Sequence, residues 1–436
     1  HVYSEGEAIL GEDIVMLDVP LVGTVTMPRF AYRAPLLTVE DVRLPKLGRA
    51  IRGDGVIRFG PTVTTLDHLR VRATDVDIGR VPVIAGKAGG RLSADLTLRG
   101  SLDPTRTGAE GWLCSNRLTV LGQTFADVGV WLGRAPAAIK ACPSAAPPAA
   151  DPACLDVAKR GGRCVIARAR RQAGGQVIAQ VSADKNQRLG GAVALEAVPL
   201  AALAALGGQT WPAGAVFDAT GLTLGGTIEA PTVAGDLRVS RAWALGGFVG
   251  DGTLRFAAAA PGTVAVAGSF LDDRLTISGR LGTTAPYKLD LTVTVSRLAL
   301  DTFVDLAALA GLPSAHVTAS GRIRVRTALA DPRAPLDVAV DLSELAATVT
   351  VAGVGDAPLP LDVRLAAPVS ATYDGKDLHL AQPATLTTEL GAVAVIGTVG
   401  ATRLDLSAHG TLDIARALPL AGRLLDDARG QAELTV

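Results

Sequence analysis

The sequence feature that most constrains this fold is a two-residue alternation of apolar and polar side chains. In the run YKLDLTVTVS, residues 287–296, every second residue is apolar, and the residues between are charged or hydroxylated. The same alternation returns at 317–326 and at 336–343. Because successive side chains of a strand point to opposite faces, each run predicts a β-strand with one face out of water.

The composition indicates how such strands assemble. The chain has 436 residues, whereas a single hydrophobic core stops growing near roughly 250–300 residues. Hydrophobic residues make up 48% but aromatic residues only 4%, so the apolar faces are aliphatic. The 49 glycines and 25 prolines are spread along the chain as turns. We therefore predict an elongated, all-β, mostly antiparallel, solenoid-like body of on the order of 25 strands with a few short helices.

A degenerate repeat of roughly 100 residues runs through the chain, longer than the common solenoid periods. Its mark is a strand end, a small residue, an aliphatic residue, an acidic residue and a proline turn, at 98–104, 224–231 and 325–332. Short helices are predicted at 198–206, at 301–310 with Asp301 as the N-cap, and within 415–427. Gly-Asp-Gly at 53–55 is interpreted as a turn before a strand, and GGFVGDG at 246–252 as a hairpin turn between two strands.

We divide the chain at the point where the alternation becomes regular. Residues 1–65 are predicted to form N-terminal strands, and residues 66–436 the repetitive region. The stretch 134–162 interrupts the pattern with a loop rich in Cys, Pro and Ala. Four cysteines are candidates for disulfides, and sequence leaves their three possible pairings open. They are Cys114, Cys142, Cys154 and Cys164.

The sequence contains no constellation typical of a catalytic or metal site, so we predict neither an enzyme nor a cofactor. No histidine accompanies a nucleophile elbow or a metalloprotease motif. The fragment Asp75-Val-Asp77-Ile-Gly79 lacks the later ligands of a calcium loop. The net charge is zero, without a basic stripe, so a nucleic-acid partner is not expected.

The aliphatic face is the remaining functional candidate. It is either the packed interior of a β-solenoid or the lining of a groove for something equally apolar, such as acyl chains. Small residues on the apolar faces and the scarcity of aromatic residues favour a groove. The candidate lining residues are Leu96, Leu98, Leu224, Leu289, Leu291, Val293, Val295, Ile323, Val325, Val338, Val340 and Leu342.

The units at 286–325 and 391–434, in which strands flank a short helix and a glycine-led strand follows, resemble the TamB branch of the AsmA-like superfamily. The similarity extends from about residue 66 to the end. It implies a U-shaped trough, or β-taco, with an apolar interior. It also implies a periplasmic protein that is anchored in the inner membrane and carries phospholipids towards the outer membrane, with an Omp85-class barrel as partner. The insertion at 134–162 departs from the family pattern.

From this resemblance we expect a segment of a bridge-like lipid transfer protein. One alternative is a scaffold or chaperone that assembles or secretes outer-membrane proteins with an Omp85-class barrel. A second alternative is a structural or adhesive β-solenoid. No apolar run in the sequence is long enough for a membrane span, and no signal peptide is visible. We therefore expect the anchor and the partner-binding end to lie outside this segment.

Overall fold

The structure of this chain is a computed structural model. It divides into two compact units, unit 1 (1–211 with 216–228) and unit 2 (212–215 with 229–436). The residues that the structure describes are 2–5, 8–19, 23–43, 51–61, 63–80, 86–101, 107–133, 151–206, 213–244, 247–303, 313–329, 336–352, 358–373, 377–400, 404–416 and 430–435.

Unit 1 is an antiparallel sheet in which each strand pairs with the next along the chain. Short connections join most neighbours, as antiparallel pairing allows. The strands are β1 (Val2–Glu5), β2 (Ala8–Val19), β3 (Gly23–Arg33), β4 (Leu36–Arg43), β5 (Ile51–Phe59), β6 (Thr64–Asp77), β7 (Ala88–Ser101), β8 (Thr107–Val120), β9 (Gln123–Leu132), β10 (Arg163–Arg171), β11 (Gln176–Ala183), β12 (Leu189–Pro199) and β13 (Ala213–Gly226).

Unit 2 continues with the same sequential antiparallel pairing up to β20. The strands are β14 (Pro231–Ala244), β15 (Gly247–Ala260), β16 (Thr263–Phe270), β17 (Leu275–Gly282), β18 (Lys288–Ala299), β19 (Ser314–Ala328), β20 (Asp337–Ala352), β21 (Pro358–Leu365), β22 (Val369–Tyr373), β23 (Asp377–Leu380), β24 (Ala384–Thr388), β25 (Gly391–Gly400), β26 (Leu404–Asp413) and β27 (Gln431–Thr435).

Beyond β20, the sheet of unit 2 passes through two strands that are each broken by a proline. β20 pairs with β22 along 338–342 and with β21 along 346–352, so β21 and β22 act as one strand interrupted at 366–368. β23 and β24 likewise share β25 and are interrupted at 381–383. Pro368 and Pro383 lie in these breaks, where a residue without an N–H removes no ladder hydrogen bond.

Helices are few and short in the described part of the chain. They are α1 (Pro152–Lys159), α2 (Leu200–Leu206), single 3-10 turns at Ile78–Arg80 and Leu300–Thr302, and helical residues at 414–416, where the described part of the third predicted helix ends. α2 confirms the helix predicted at 198–206. Asp301, the predicted N-cap, lies inside the 3-10 turn, and its Oδ2 is 3.0 Å from Nδ1 of His316. The remainder of the predicted helix at 301–310, beyond Phe303, and the predicted helix beyond Arg416 lie outside the described residues.

Several strands carry a β-bulge, an extra residue that bends the strand and increases its twist. In unit 2, bulges interrupt β14 between Val239 and Ala242 and β18 between Val295 and Leu298. The β16–β17 turn, a register shift in β19–β20 and the proline breaks lie at the same level. We call this line, from β14 to β24, the crease of unit 2.

Neither of the segments interpreted as turns is a turn in its described part. Residues 53–55 lie inside β5 and residues 247–252 inside β15, and residue 246 lies outside the described residues. In each strand the aspartate faces a bulge of the preceding strand, at Asp41 and Arg241 respectively. The interpretation as turns failed because glycine also occurs where a strand is bulged or closely approached by a neighbour. The expected all-β, mostly antiparallel class with few short helices is confirmed.

Candidate functional site

The predicted lining residues of unit 1 belong to one row of cross-strand neighbours. The row begins at Leu96 of β7 and ends at Leu224 of β13, and Leu98 lies one pleat away on the same strand face. Every member is aliphatic or glycine, so the face is apolar across seven strands. In order the members are Leu96, Gly111, Leu132, Val165, Val181, Gly191 and Leu224.

Unit 2 has a longer apolar row, which is aliphatic or glycine except at Phe256 and Tyr373. It passes through Leu291, Val325 and Val338, and a parallel row passes through Val293, Ile323 and Val340. Eight steps of about 4.8 Å between adjacent strands give about 38 Å of apolar face. The longer row consists of Gly235, Phe256, Val266, Gly279, Leu291, Val325, Val338, Tyr373 and Leu378.

In unit 2, the apolar face is partly exposed on the side of the crease that holds the predicted lining residues, and it is packed on the other side, at Leu298 and Val317. All twelve predicted lining residues are partly exposed, and none of them is fully buried. In contrast, Val239, which is 2% exposed, and Leu298 and Val317 beside the same crease are buried. In unit 1, Leu96 borders a buried cluster around Ala73 and Ala94. A completely packed interior would bury all of these side chains alike.

Glycines within the rows lie where neighbouring backbones approach closely. Gly191 has φ 145°, and a Cβ at this position would lie 2.0 Å from the carbonyl oxygen of Gln180. Only glycine tolerates that contact. Because Gly191 has no side chain, the layer of apolar side chains is thin at this point between Val181 and Leu224.

The opposite face of each sheet carries cross-strand ion pairs. Arg70 pairs with Asp95 at 2.6 Å in unit 1, and Arg255 pairs with Asp236 at 2.7 Å in unit 2. Hydrogen bonding from Arg70 lowers the pKa of the Asp95 carboxyl, and Arg255 lowers the pKa of Asp236 in the same way. These pairs are solvent-exposed, so each contributes little to stability. The two faces therefore differ as the alternation predicts.

In unit 1, the helix α1 covers part of this polar face. α1 begins after Asp151, whose Oδ1 accepts a hydrogen bond from the N–H of Ala153 at 2.9 Å. Cys154 of α1 forms a disulfide with Cys164 of β10. Together with Trp131 and Ile166 they build a small core. Trp131 alternates with Leu132 of the apolar row, so this core lies on the opposite side of the sheet.

Of the three possible cysteine pairings, the structure contains the one that joins Cys154 to Cys164. Cys114 is disulfide-bonded as well. Cys142 lies outside the described residues. Most of the predicted insertion, 134–150, lies outside them too, and its described end forms α1.

No catalytic arrangement accompanies the apolar face in the described ranges. His, Cys, Asp and Glu side chains form no group there that could hold a metal ion. Asp75, from the calcium-loop fragment, instead pairs with Arg91, and Asp77 Oδ1 accepts a hydrogen bond from the N–H of Gly79 at 3.0 Å.

The bulges are the element that the sequence interpretation missed. The signal was present as two polar residues between two apolar ones, which breaks the two-residue period. Examples are VSRA at 239–242 and VSRL at 295–298. Without a partner strand, such a break cannot be distinguished from a strand end.

No protein-family model, curated protein or solved structure matches this chain. Within the described ranges, none of the helices has the length and apolar character needed to cross a bilayer.

Proposed function

We propose that this chain is a segment of a bridge-like lipid transfer protein and that its apolar face holds phospholipid acyl chains. The observation that carries the proposal is the partial exposure of an unbroken aliphatic row, most clearly along Leu291, Val325 and Val338. An apolar surface of this extent is costly to leave in water, and extended patches of this kind mark binding sites.

The mechanism is passive movement along the lining. Each methylene that leaves water gains about 0.8 kcal/mol, so an interrupted lining would create a barrier wherever a chain lost contact. Because each step in the row passes from one hydrophobic or glycine residue to the next, a sliding chain keeps a similar environment throughout. The headgroup stays in water at the open side, which requires no polar residue on the apolar face.

From the resemblance to the TamB branch we also propose a cellular location and partners for this chain. We place the chain in the periplasm, held by an inner-membrane anchor outside this segment and directed towards an outer-membrane barrel of the Omp85 class. The disulfide between Cys154 and Cys164 supports an oxidising compartment. The proposed role involves no catalysis and no nucleic acid.

The test is lipid capture by the purified chain. Organic extraction should recover phospholipid in at least equimolar amount. A photoreactive amino acid at Val293 should cross-link to lipid, whereas the same group at the adjacent Thr292, on the opposite face, should not. A lipid-free protein, or equal cross-linking from both positions, would rule out a lipid-holding apolar face.

A further inference from the structure

Five bulges, in both units, share one local geometry. Each adds two residues between two apolar ones, and the second added residue, which is polar except at Ala197, has a positive φ of 44–54°. Left-handed backbone is uncommon for residues other than glycine, so the surroundings must hold it. The five left-handed residues are Asp41 of β4, Asp75 of β6, Ala197 of β12, Arg241 of β14 and Arg297 of β18.

The N–H of each left-handed residue is paired in the same way. A bulge removes this N–H from the ladder between the strands, and an unpaired backbone donor is costly. In each case an oxygen of an Asp or Ser side chain on the following strand accepts its hydrogen bond. We call these acceptors the clamp residues: Asp54 (3.3 Å), Ser93 (2.9 Å), Asp218 (2.7 Å), Asp251 (2.9 Å) and Ser320 (2.9 Å).

The clamp residues stand out from ordinary polar residues of a solvated face. Within each unit the bulged strands are even-numbered, and they therefore run in the same direction in its antiparallel sheet. The clamp always lies on the next strand. In unit 2, Ser320 also donates to Glu344 of β20 at 3.2 Å, which links three strands at the crease. A single recurring arrangement indicates a common structural task.

We propose that the clamp residues set the bend of the sheet, and in unit 2 the angle of the crease. The clamp holds the left-handed residue, the left-handed residue maintains the bulge, and the bulge bends the strand. Apolar residues on both sides of the bulge, such as Val239 and Ala242, are buried by that bend. If the proposed lipid role holds, Asp251 and Ser320 are positioning residues that set the width available to acyl chains.

The first measurement is amide exchange at Arg241 in the full chain. Asp251→Ala removes the acceptor, and we expect about tenfold faster exchange because a hydrogen bond to a charged group is lost. Asp251→Asn keeps an acceptor oxygen and should restore protection. Thr253→Ala, two residues away on the same face of β15, is the matched control and should exchange like the wild type.

The second measurement is the bend itself. Spin labels carried by noncanonical amino acids at Phe248 and Ala257, both exposed, flank Asp251 on β15. Nine residue steps of about 3.3 Å would give about 30 Å in a straight strand, and a bend shortens this. In the double variant Asp251→Ala/Ser320→Ala, we expect the distance to lengthen towards that value and its distribution to broaden.

Both measurements are independent of lipid, so they separate this inference from the proposed function. If Asp251→Ala left the exchange rate at Arg241 unchanged, or if the double variant kept the wild-type distance, the clamp would be refuted, whether or not the protein carries lipid. If the double variant did not fold, two single variants, Ser320→Ala and Ser320→Thr, would test the clamp, because only threonine keeps the hydroxyl. Faster exchange at Arg297 in the alanine variant alone supports the clamp, and equal exchange in both overturns it.

Discussion

We expect an aspartate on the apolar face to affect stability and lipid transfer in opposite ways at two positions, Val293 and Val317. Val293 is partly exposed, and Val317, beside the crease, is 8% exposed. For Val293→Asp, the carboxylate can reach water. The cost is about 1 kcal/mol, roughly half of what full burial of a valine contributes. For Val317→Asp, the carboxylate is buried without a partner, and the cost rises to about 3–5 kcal/mol.

The rate of lipid passage should fall at Val293→Asp, the variant that loses little stability. If about four methylenes lose apolar contact while crossing the charge at Val293, the barrier rises by about 3 kcal/mol, which slows passage about two-hundredfold. The assay measures transfer of fluorescent phospholipid between donor and acceptor vesicles, with urea unfolding of the same samples. Thr292→Asp, which introduces the same charge on the opposite face beside Arg324, is the control and should transfer normally.

Two results would refute this reasoning. If Val293→Asp destabilised the chain as strongly as Val317→Asp, the apolar face would be packed along its whole length, as in a structural solenoid. If Val293→Asp folded normally and still transferred lipid at the rate of Thr292→Asp, acyl chains would not travel along this face.

Three further predictions concern stability. Replacing Cys154 and Cys164 with serine removes a cross-link with a sequence separation of 10. In the chain-entropy model this cross-link stabilises the fold by about 2.7 kcal/mol, so amides of α1 should exchange about a hundredfold faster. Unchanged protection of these amides would contradict this prediction. The free energy of unfolding should fall as the pH drops below about 4. The reason is that Asp95 has a lowered pKa in the folded state, so the unfolded chain binds more protons in this pH range. In an acid titration, Asp95→Asn should show a smaller decline in stability than the wild type. Gly129→Ala should cost about 1–3 kcal/mol in thermal unfolding, because its Cβ would lie 2.5 Å from the indole of Trp131; a neutral effect would show that the indole can move.

Sequence alone determined the strands and their two faces. Alternation is a local property, since each side chain of a strand points away from its neighbours in the chain whatever the partner strand is. For this reason the twelve lining residues could be assigned to apolar strand faces without coordinates. The helix α2 was predictable for a similar local reason, because glycines end its short apolar run.

Tertiary structure decided what depends on the neighbouring strand. The bulges at Arg241 and Arg297 are stabilised by acceptors 10 and 23 residues away, so VSRA and VSRL have no distinctive meaning in isolation. The pairing of Cys154 with Cys164 likewise required α1 to lie against β10. Val293 and Val317 lie on opposite sides of the crease, and only Val317 is buried. Two valines with the same alternation in sequence thus acquire different roles only when the sheet bends.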